Sequence, residues 1–211
     1  GNRERMATNP GRILLVRHGE SEGNATRTFT ANTEVPLTDL GRRQARAAAE
    51  VLRRDFAPSL VVASPYSRAR ETGEIIAALL SVDLVIEAEF REQWLGDLRG
   101  LSYDCVTADP TFDPARRWEW RPRNGESLVD VQRRVAPALQ RLAVEHAERD
   151  VVMVSHGGVM LAIWAHLEGG WEIARPAGNA AIVLVENRAG TLGRPRFVHP
   201  GGAGKDVATL E

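Results

Sequence analysis

Two apolar runs in this chain end in the same unusual way. Residues 12–16, RILLV, pass without a turn into Arg17-His18-Gly19-Glu20, and residues 150–154, DVVMV, pass into Ser155-His156-Gly157-Gly158. After Arg12 and Asp150 each run is apolar at four consecutive residues, the pattern of strands buried on both faces. Such strands belong to mostly parallel sheets with helices on either side. Residues 59–63, 83–86 and 180–186 read as further strands, with helical patterns between them. The alternation predicts an α/β fold, a three-layer α/β/α sandwich around a mostly parallel central sheet. Ligands in these sheets bind beyond the carboxyl ends of the strands, where both histidines fall. A cation, an imidazole and a carboxylate can follow an apolar strand directly if the strand emerges there into a crevice.

The helices carry local signals. Thr38 is placed to cap a helix of about 15 residues, Asp39 suits its positive end, and the Ala-rich GRRQARAAAEVLRR favours helix. Ser64-Pro65-Tyr66-Ser67 turns into a second helix carrying Arg68. Glu126–Glu148 returns to helical spacing, with Pro137 expected to kink or break it. Residues 88–125 hold Trp94, Trp118 and Trp120 without steady periodicity, which predicts a long excursion over one face. The expected organisation is one domain over residues 12–200, a disordered extension or added segment over 1–11, and a flexible tail over 201–211.

Composition excludes several chemistries. A net charge of −1 gives no reason to expect nucleic acid or an anionic membrane as partner. All but one of the 27 basic residues are arginine, and Lys205 lies in the Gly-rich tail, so a P-loop or a Schiff-base lysine is not available. The single Cys105 rules out an intramolecular disulfide and a cysteine-based zinc site. No apolar run approaches the roughly 20 residues that span a bilayer, and the polar GNRERMATNPGR does not read as a secretory signal. The cytoplasm is the expected location.

A histidine at a strand end can be a metal ligand, a general base, a nucleophile or a packed polar residue. A metal site is not expected, because Arg17 beside His18 would repel a cation and no His-Glu-x-x-His is present. An adjacent arginine suits an anion, since the guanidinium fork matches phosphate oxygens. Taken singly, Arg68 would pass as a solvated helix arginine like Arg70, His156 as a capping core residue and Asn24 as a turn residue. His146, His166 and His199 are assigned no role.

Arg17-His18-Gly19-Glu20-Ser21 with Asn24 resembles the signature of the histidine phosphatase superfamily, which includes the cofactor-dependent phosphoglycerate mutases. Phe29-Thr30 with Val35-Pro36-Leu37-Thr38 and Gly41 resembles the stretch that leads into that family's first helix. Ser64-Pro65-Tyr66-Ser67-Arg68-Ala69 with Glu71-Thr72 resembles the second motif, Phe90-Arg91-Glu92 with Leu95-Gly96 and Gly100 the acid-bearing loop, and Ser155-His156-Gly157-Gly158 the last motif. Four motifs stand in family order across residues 12–186.

The resemblance implies a metal-independent, cofactor-free phosphatase acting on a small phosphorylated metabolite. His18 would be the nucleophile that becomes phosphohistidine. Arg17, Arg68 and His156 would supply positive charge, Asn24 a neutral donor, and the amides of Gly157 and Gly158 a helix amino end. Thr30 would add a substrate contact. Glu92 would protonate the leaving group and then deprotonate water, a task for a carboxyl with a raised pKa. Glu20 is its rival by proximity, although the family uses that carboxylate structurally. Pro122-Arg123-Asn124-Gly125-Glu126-Ser127 resembles the phosphatase branches. A mutase is the alternative, with Arg116-Arg117 in the neighbourhood of its paired arginines, but the segment is short and Ala31 stands where mutases usually carry glycine. Arg116, Arg117, Arg121 and Arg123 are open to two readings, a second substrate grip or solvated loop charge. The tryptophans likewise read as pocket wall or as loop anchors. A non-catalytic phosphate-ligand or protein-binding module is the reading of another class; the presence of His18, Arg17, Arg68, Glu92 and His156 together argues against it.

Overall fold

The computed structural model describes residues 10–30 and 32–202. The expectations for residues 1–9, for Ala31 and for the end of the tail, Lys205 included, lie outside the described residues.

Strand β1 (Gly11–Arg17) is the axis of the molecule. It pairs in parallel with β4 (Asp150–Ser155), which pairs in parallel with β2 (Pro58–Ala63), which pairs in parallel with the edge strand β3 (Asp83–Ile86). On its other side β1 meets β5 (Ile182–Arg188) antiparallel, and β5 carries β6 (Thr191–Leu192) and β7 (Arg196–His199). The order is β3-β2-β4-β1-β5-β6, with β7 on β5. The sheet is therefore mixed, with a parallel four-stranded half and an antiparallel extension.

The alternation of side chains along each strand divides the core in two. From β1, Leu14 and Val16 face one side, where α2 (Asp39–Asp55) contributes Ala48, Ala49 and Leu52 and α3 (Ser67–Leu80) contributes Ile76 and Ala77. Ile13 and Leu15 face the other side, against α5 (Leu128–Glu145) and α6 (Gly157–Glu168) through Val131, Val135, Leu139 and Ile163. This is the expected sandwich. The caps are as local as the sequence suggested: Thr38 Oγ1 accepts from the Gly41 amide at 3.0 Å. In α5, Ser127 and Asp130 form a reciprocal box. Arg121 grips Asp130 from outside and draws its carboxyl down to about 2.

Two local expectations change, and one short helix is added. The helix runs through Pro137 without a break from Leu128 to Glu145. Pro137 lacks only one hydrogen-bond donor, and the apolar face on either side of it holds both halves to the sheet. Residues 196–202 are tied to the sheet and to the approach to β5. Strand β7 is hydrogen-bonded to β5, and the Gly202 amide donates to the Asn179 carbonyl at 2.8 Å. A five-residue helix, α1 (Glu22–Thr26), follows directly on the first motif, with Ser21 and Asn24 as its capping box. The excursion over residues 88–125 is built from short turns of 3₁₀ helix and one brief helix, α4 (Asp104–Ala108), under which Phe29, Tyr103, Val106 and Trp120 form a small core of their own.

Candidate active site

The register of the parallel strands brings the two similar strand ends together. Arg17 is opposite Ser155, and the His18 amide donates to the Ser155 carbonyl at 3.0 Å. On the other side of β4 the Ser64 amide donates to the Val154 carbonyl at 3.0 Å. The ends of β1, β4 and β2 thus deliver His18, His156 and Ser64 to one level. The imidazoles of His18 and His156 meet edge to face with centroids 5.3 Å apart. Ser64 Oγ lies 2.7 Å from His156 Nε2.

His18 is oriented by its own backbone. Its Nδ1 stands 2.7 Å from the Gly19 carbonyl oxygen, which can only accept, so Nδ1 carries the proton and Nε2 keeps its lone pair. Arg68 Nε lies 3.3 Å from that Nε2. Burial pushes the His18 pKa well below the usual histidine range, and the charges of Arg68 and Arg17 push it further in the same direction. Both effects favour the neutral ring. The turn that presents it needs glycine twice, because a Cβ on Gly19 or on Gly41 would overlap the backbone of the other segment.

The two arginines reach the site from different elements. Arg17, only 1% exposed, is anchored by Nη1 on the Ala177 carbonyl at 2.7 Å. Arg68 is held in the first turn of α3, where Thr72 Oγ1 donates to its carbonyl at 2.7 Å and accepts from the Gly19 amide at 3.1 Å. Its Nη1 is buried and has no hydrogen-bond partner among the described residues. An unpartnered buried guanidinium donor is costly, and here it sits beside His18, where an anion's oxygens would satisfy it.

Glu92 comes from the excursion and leans onto α6. Its Oε2 accepts from the Gly158 amide at 3.2 Å and its Oε1 from the Gln93 amide at 2.8 Å. A Cβ at residue 158 would lie 2.5 Å from Oε1, so Gly158 makes room for the carboxyl. Glu20, the rival, accepts from Thr38 Oγ1 at 2.9 Å and lies outside the cavity wall.

These groups line a cavity of about 300 Å³. Arg17, His18, Asn24, Thr30, Arg68 and Glu92 are on its wall. Two expected residues are not. His156 is wholly buried behind His18, and Gly157 opens α6 one residue short of Gly158, which does reach the wall. Nor does His156 bring a charge. Burial, reinforced by Arg68, His18 and Arg17, sets its pKa well below the usual range and favours a neutral ring, whose Nδ1 has no partner among the described residues. Asn24 is partly committed: its Oδ1 accepts from the Ser21 amide at 3.1 Å and its Nδ2 donates to the Tyr103 hydroxyl at 3.1 Å. Among the described residues no group of three or more His, Cys, Asp or Glu side chains is placed to hold a metal ion.

The loop arginines divide from the site. Arg116 pairs with Glu119 at 2.7 Å and Arg121 with Asp130 at 2.8 Å, and none of Arg116, Arg117, Arg121 and Arg123 lines the cavity. Of the three tryptophans only Trp94 does. Trp118 stacks on Trp171, with centroids 6.2 Å apart, and Trp120 donates from Nε1 to Thr111 Oγ1, so both anchor the excursion.

Sequence reasoning missed three supports. Asn179 Nδ2 donates to the His18 carbonyl at 3.2 Å. Asn179 stands just before a strand and reads only as a turn residue. Arg134 on α5 donates to the carbonyls of Glu89 and Glu92 and to both oxygens of Glu126, fixing the acid-bearing loop. Tyr66 caps the His156 ring with centroids 5.3 Å apart and lines the cavity.

Comparison with known proteins agrees with this geometry. The family model of the histidine phosphatase superfamily (branch 1) matches residues 13–192. The chain is 34% identical over 201 residues to a glucosyl-3-phosphoglycerate phosphatase of Mycolicibacterium vanbaalenii, covering 87% of this chain and 88% of that protein. It is 36% identical over 171 residues to a phosphoglycerate mutase-like protein 4 of Arabidopsis thaliana, covering 78% of this chain and 71% of that protein. Among solved structures, a mycobacterial glucosyl-3-phosphoglycerate phosphatase in complex with VO3 superposes with a TM-score of 0.75 at 30% identity, covering 89% of this chain and 97% of that one. This chain belongs to the histidine phosphatase superfamily, branch 1, and is a phosphatase of that family.

Proposed function

We propose that the cavity hydrolyses phosphomonoesters of small sugar or hydroxy-acid metabolites in two steps through His18. In the first, the His18 Nε2 lone pair forms a bond to phosphorus while the ester P–O bond breaks, and the departing alkoxide takes a proton from the Glu92 carboxyl. In the second, the Glu92 carboxylate takes a proton from water, the hydroxide oxygen bonds to phosphorus, and the N–P bond breaks to release inorganic phosphate. Arg17 and Arg68 offset the charge of the equatorial oxygens throughout. His156 acts as a neutral hydrogen-bonding ring behind the nucleophile, and Asn24, Thr30 and the start of α6 complete the phosphate end.

One observation carries this reading: the Nδ1–H of His18 is tied to the Gly19 carbonyl, so the ring's lone pair is on Nε2, where it accepts from Arg68 Nε at 3.3 Å. The substrate class follows from the mycobacterial relatives, whose names give glucosyl-3-phosphoglycerate. The mutase reading gains nothing from Arg116-Arg117, which stand off the cavity. Rapid-quench labelling with a phosphorus-32 aryl phosphate tests the scheme. We expect an acid-labile phosphoenzyme in the wild type and none in His18→Ala; label on serine, or label that survives that substitution, would refute the nucleophile.

A further inference from the structure

The cavity has a third cation, which the phosphoryl chemistry does not use. Arg99 lines the wall beside Trp94, and its Cζ sits 4.2 Å from the centroid of the Trp94 ring. Its Nε donates to the Gly96 carbonyl at 3.1 Å. Stacking and this one hydrogen bond hold the guanidinium plane and leave its terminal N–H groups available. Neighbouring exposed arginines pair with carboxylates, Arg91 with Glu89, Arg116 with Glu119 and Arg121 with Asp130. Arg99 makes no ion pair among the described residues.

The platform under it is rigid. The Trp94 amide donates to Glu126 Oε1 at 2.9 Å, and the Trp94 carbonyl accepts from the Glu126 amide at 2.7 Å. Glu126 is in turn bridged to Arg134 at 2.9 Å. Gly96 starts the turn between Trp94 and Arg99 with a φ of +55°, which a side chain would strain. A tryptophan 37% exposed at a cavity wall would ordinarily offer its face to a sugar or an aromatic ring. Here a cation covers that ring, so the wall presents a guanidinium edge.

Charge balance then decides what fits. Among the described residues on the wall the cations are Arg17, Arg68 and Arg99, and the only acid is Glu92. Arg17 and Arg68 match the two negative charges of a phosphate ester. Arg99, carried on the acid-bearing loop and not on β1 or α3, matches one more. We infer that Arg99, held on Trp94, binds a carboxylate of the substrate remote from the scissile phosphate and makes the enzyme select phosphorylated carboxylic acids over neutral alcohol phosphates. The fork of the guanidinium suits a planar carboxylate, which lysine's single ammonium would match poorly. This inference rests on the phosphatase reading above and adds the residue that selects among its substrates.

The test compares 3-phosphoglycerate with glycerol 3-phosphate, which differ at the far end of the molecule by a carboxylate in place of a hydroxymethyl group. A charge-assisted hydrogen bond at a solvent-exposed rim is worth about tenfold. The wild type is expected to favour phosphoglycerate by about tenfold or more in kcat/KM, chiefly through KM. Arg99→Gln should bring that ratio close to one, and Arg99→Lys should restore part of it. The wild-type ratio should also shrink toward one in about 1 M salt, where the screening length is about 3 Å. A wild-type ratio near one, or a ratio unchanged in Arg99→Gln, would overturn the inference. Trapping the phosphoenzyme from an aryl phosphate keeps the two readings apart. If it forms and the ratio is flat, only the role of Arg99 fails; if it does not form, the phosphohistidine reading fails.

Discussion

In the proposed scheme Glu92 does two kinds of work, proton transfer to an alkoxide and proton removal from water. The backbone amides of Gln93 and Gly158 donate to its two oxygens. Glu92→Gln keeps shape and hydrogen bonding but can neither give nor take the proton. An aryl phosphate has a good leaving group, so attack by His18 needs little acid help. An alkyl phosphate needs the proton as the bond breaks, and such catalysis is worth about 10²–10⁴-fold. The variant should therefore accumulate phosphoenzyme from aryl esters and stall before phosphorylation with alkyl esters, as quench-flow on the two substrates would show. Wild-type turnover of alkyl esters by the variant would move the proton role to another carboxyl. The same residue-scale logic applies to His18, whose Nδ1 proton is placed by a carbonyl one residue away, a feature any chain with this turn carries.

At the scale of elements, the site is an agreement between strand register and helix starts. The ends of β1 and β4 set the two histidines side by side, and the first turns of α3 and α6 bring Arg68 and Gly158 to them. Gly158 is the point of closest agreement, since its missing side chain is the space that Glu92 occupies. Gly158→Ala should push the carboxyl aside rather than unfold α6, because the atom met is the end of a side chain. We expect a melting temperature within a few degrees of wild type by circular dichroism. Alkyl phosphate turnover should fall by about 10²-fold, and by more than aryl phosphate turnover. Equal losses on both esters would mean that Gly158 serves phosphate binding instead. The acid-bearing loop depends on α5 in the same way, through Arg134 and its bonds to Glu89, Glu92 and Glu126.

The whole molecule carries the cost of burying two imidazoles among arginines. Burial, followed by the nearby arginines, holds the pKa values of His18 and His156 well below about 6.5, the value expected in the unfolded chain. Above that pH both states leave the rings neutral and the full stability is present. As pH falls through about 6.5 the unfolded chain takes up protons that the folded chain refuses, and stability is lost down toward the folded pKa values. Each histidine contributes a slope of up to about 1.4 kcal/mol per pH unit, so about 2.7 together. His199, also shifted down by burial and by Arg54, acts in the same direction. Urea midpoints between pH 7 and 5 measure this, and His156→Gln should remove about half of the slope. A flat profile across that range would contradict neutral burial of the pair.

Much of this was legible in the sequence because it is local. Two β-branched runs ending in Arg-His-Gly and Ser-His-Gly-Gly fix what each strand end carries, and Thr38 caps its helix across three residues. The α/β sandwich follows from the alternation of strand and helix patterns, and four motifs in order identify the family. What stayed hidden depends on residues far apart that meet only when folded. Arg134 reads as one more helix arginine until α5 lies under the excursion, and Asn179 as a turn residue until the approach to β5 crosses the end of β1. Strand β7 lacks a long apolar run because β5 supplies its partner. The neutral state of His156 and the separation of Arg116 from the cavity were also decided by the tertiary structure. A pKa depends on burial and on charges brought from other elements, and the direction of an exposed arginine depends on which carboxylate the fold sets beside it.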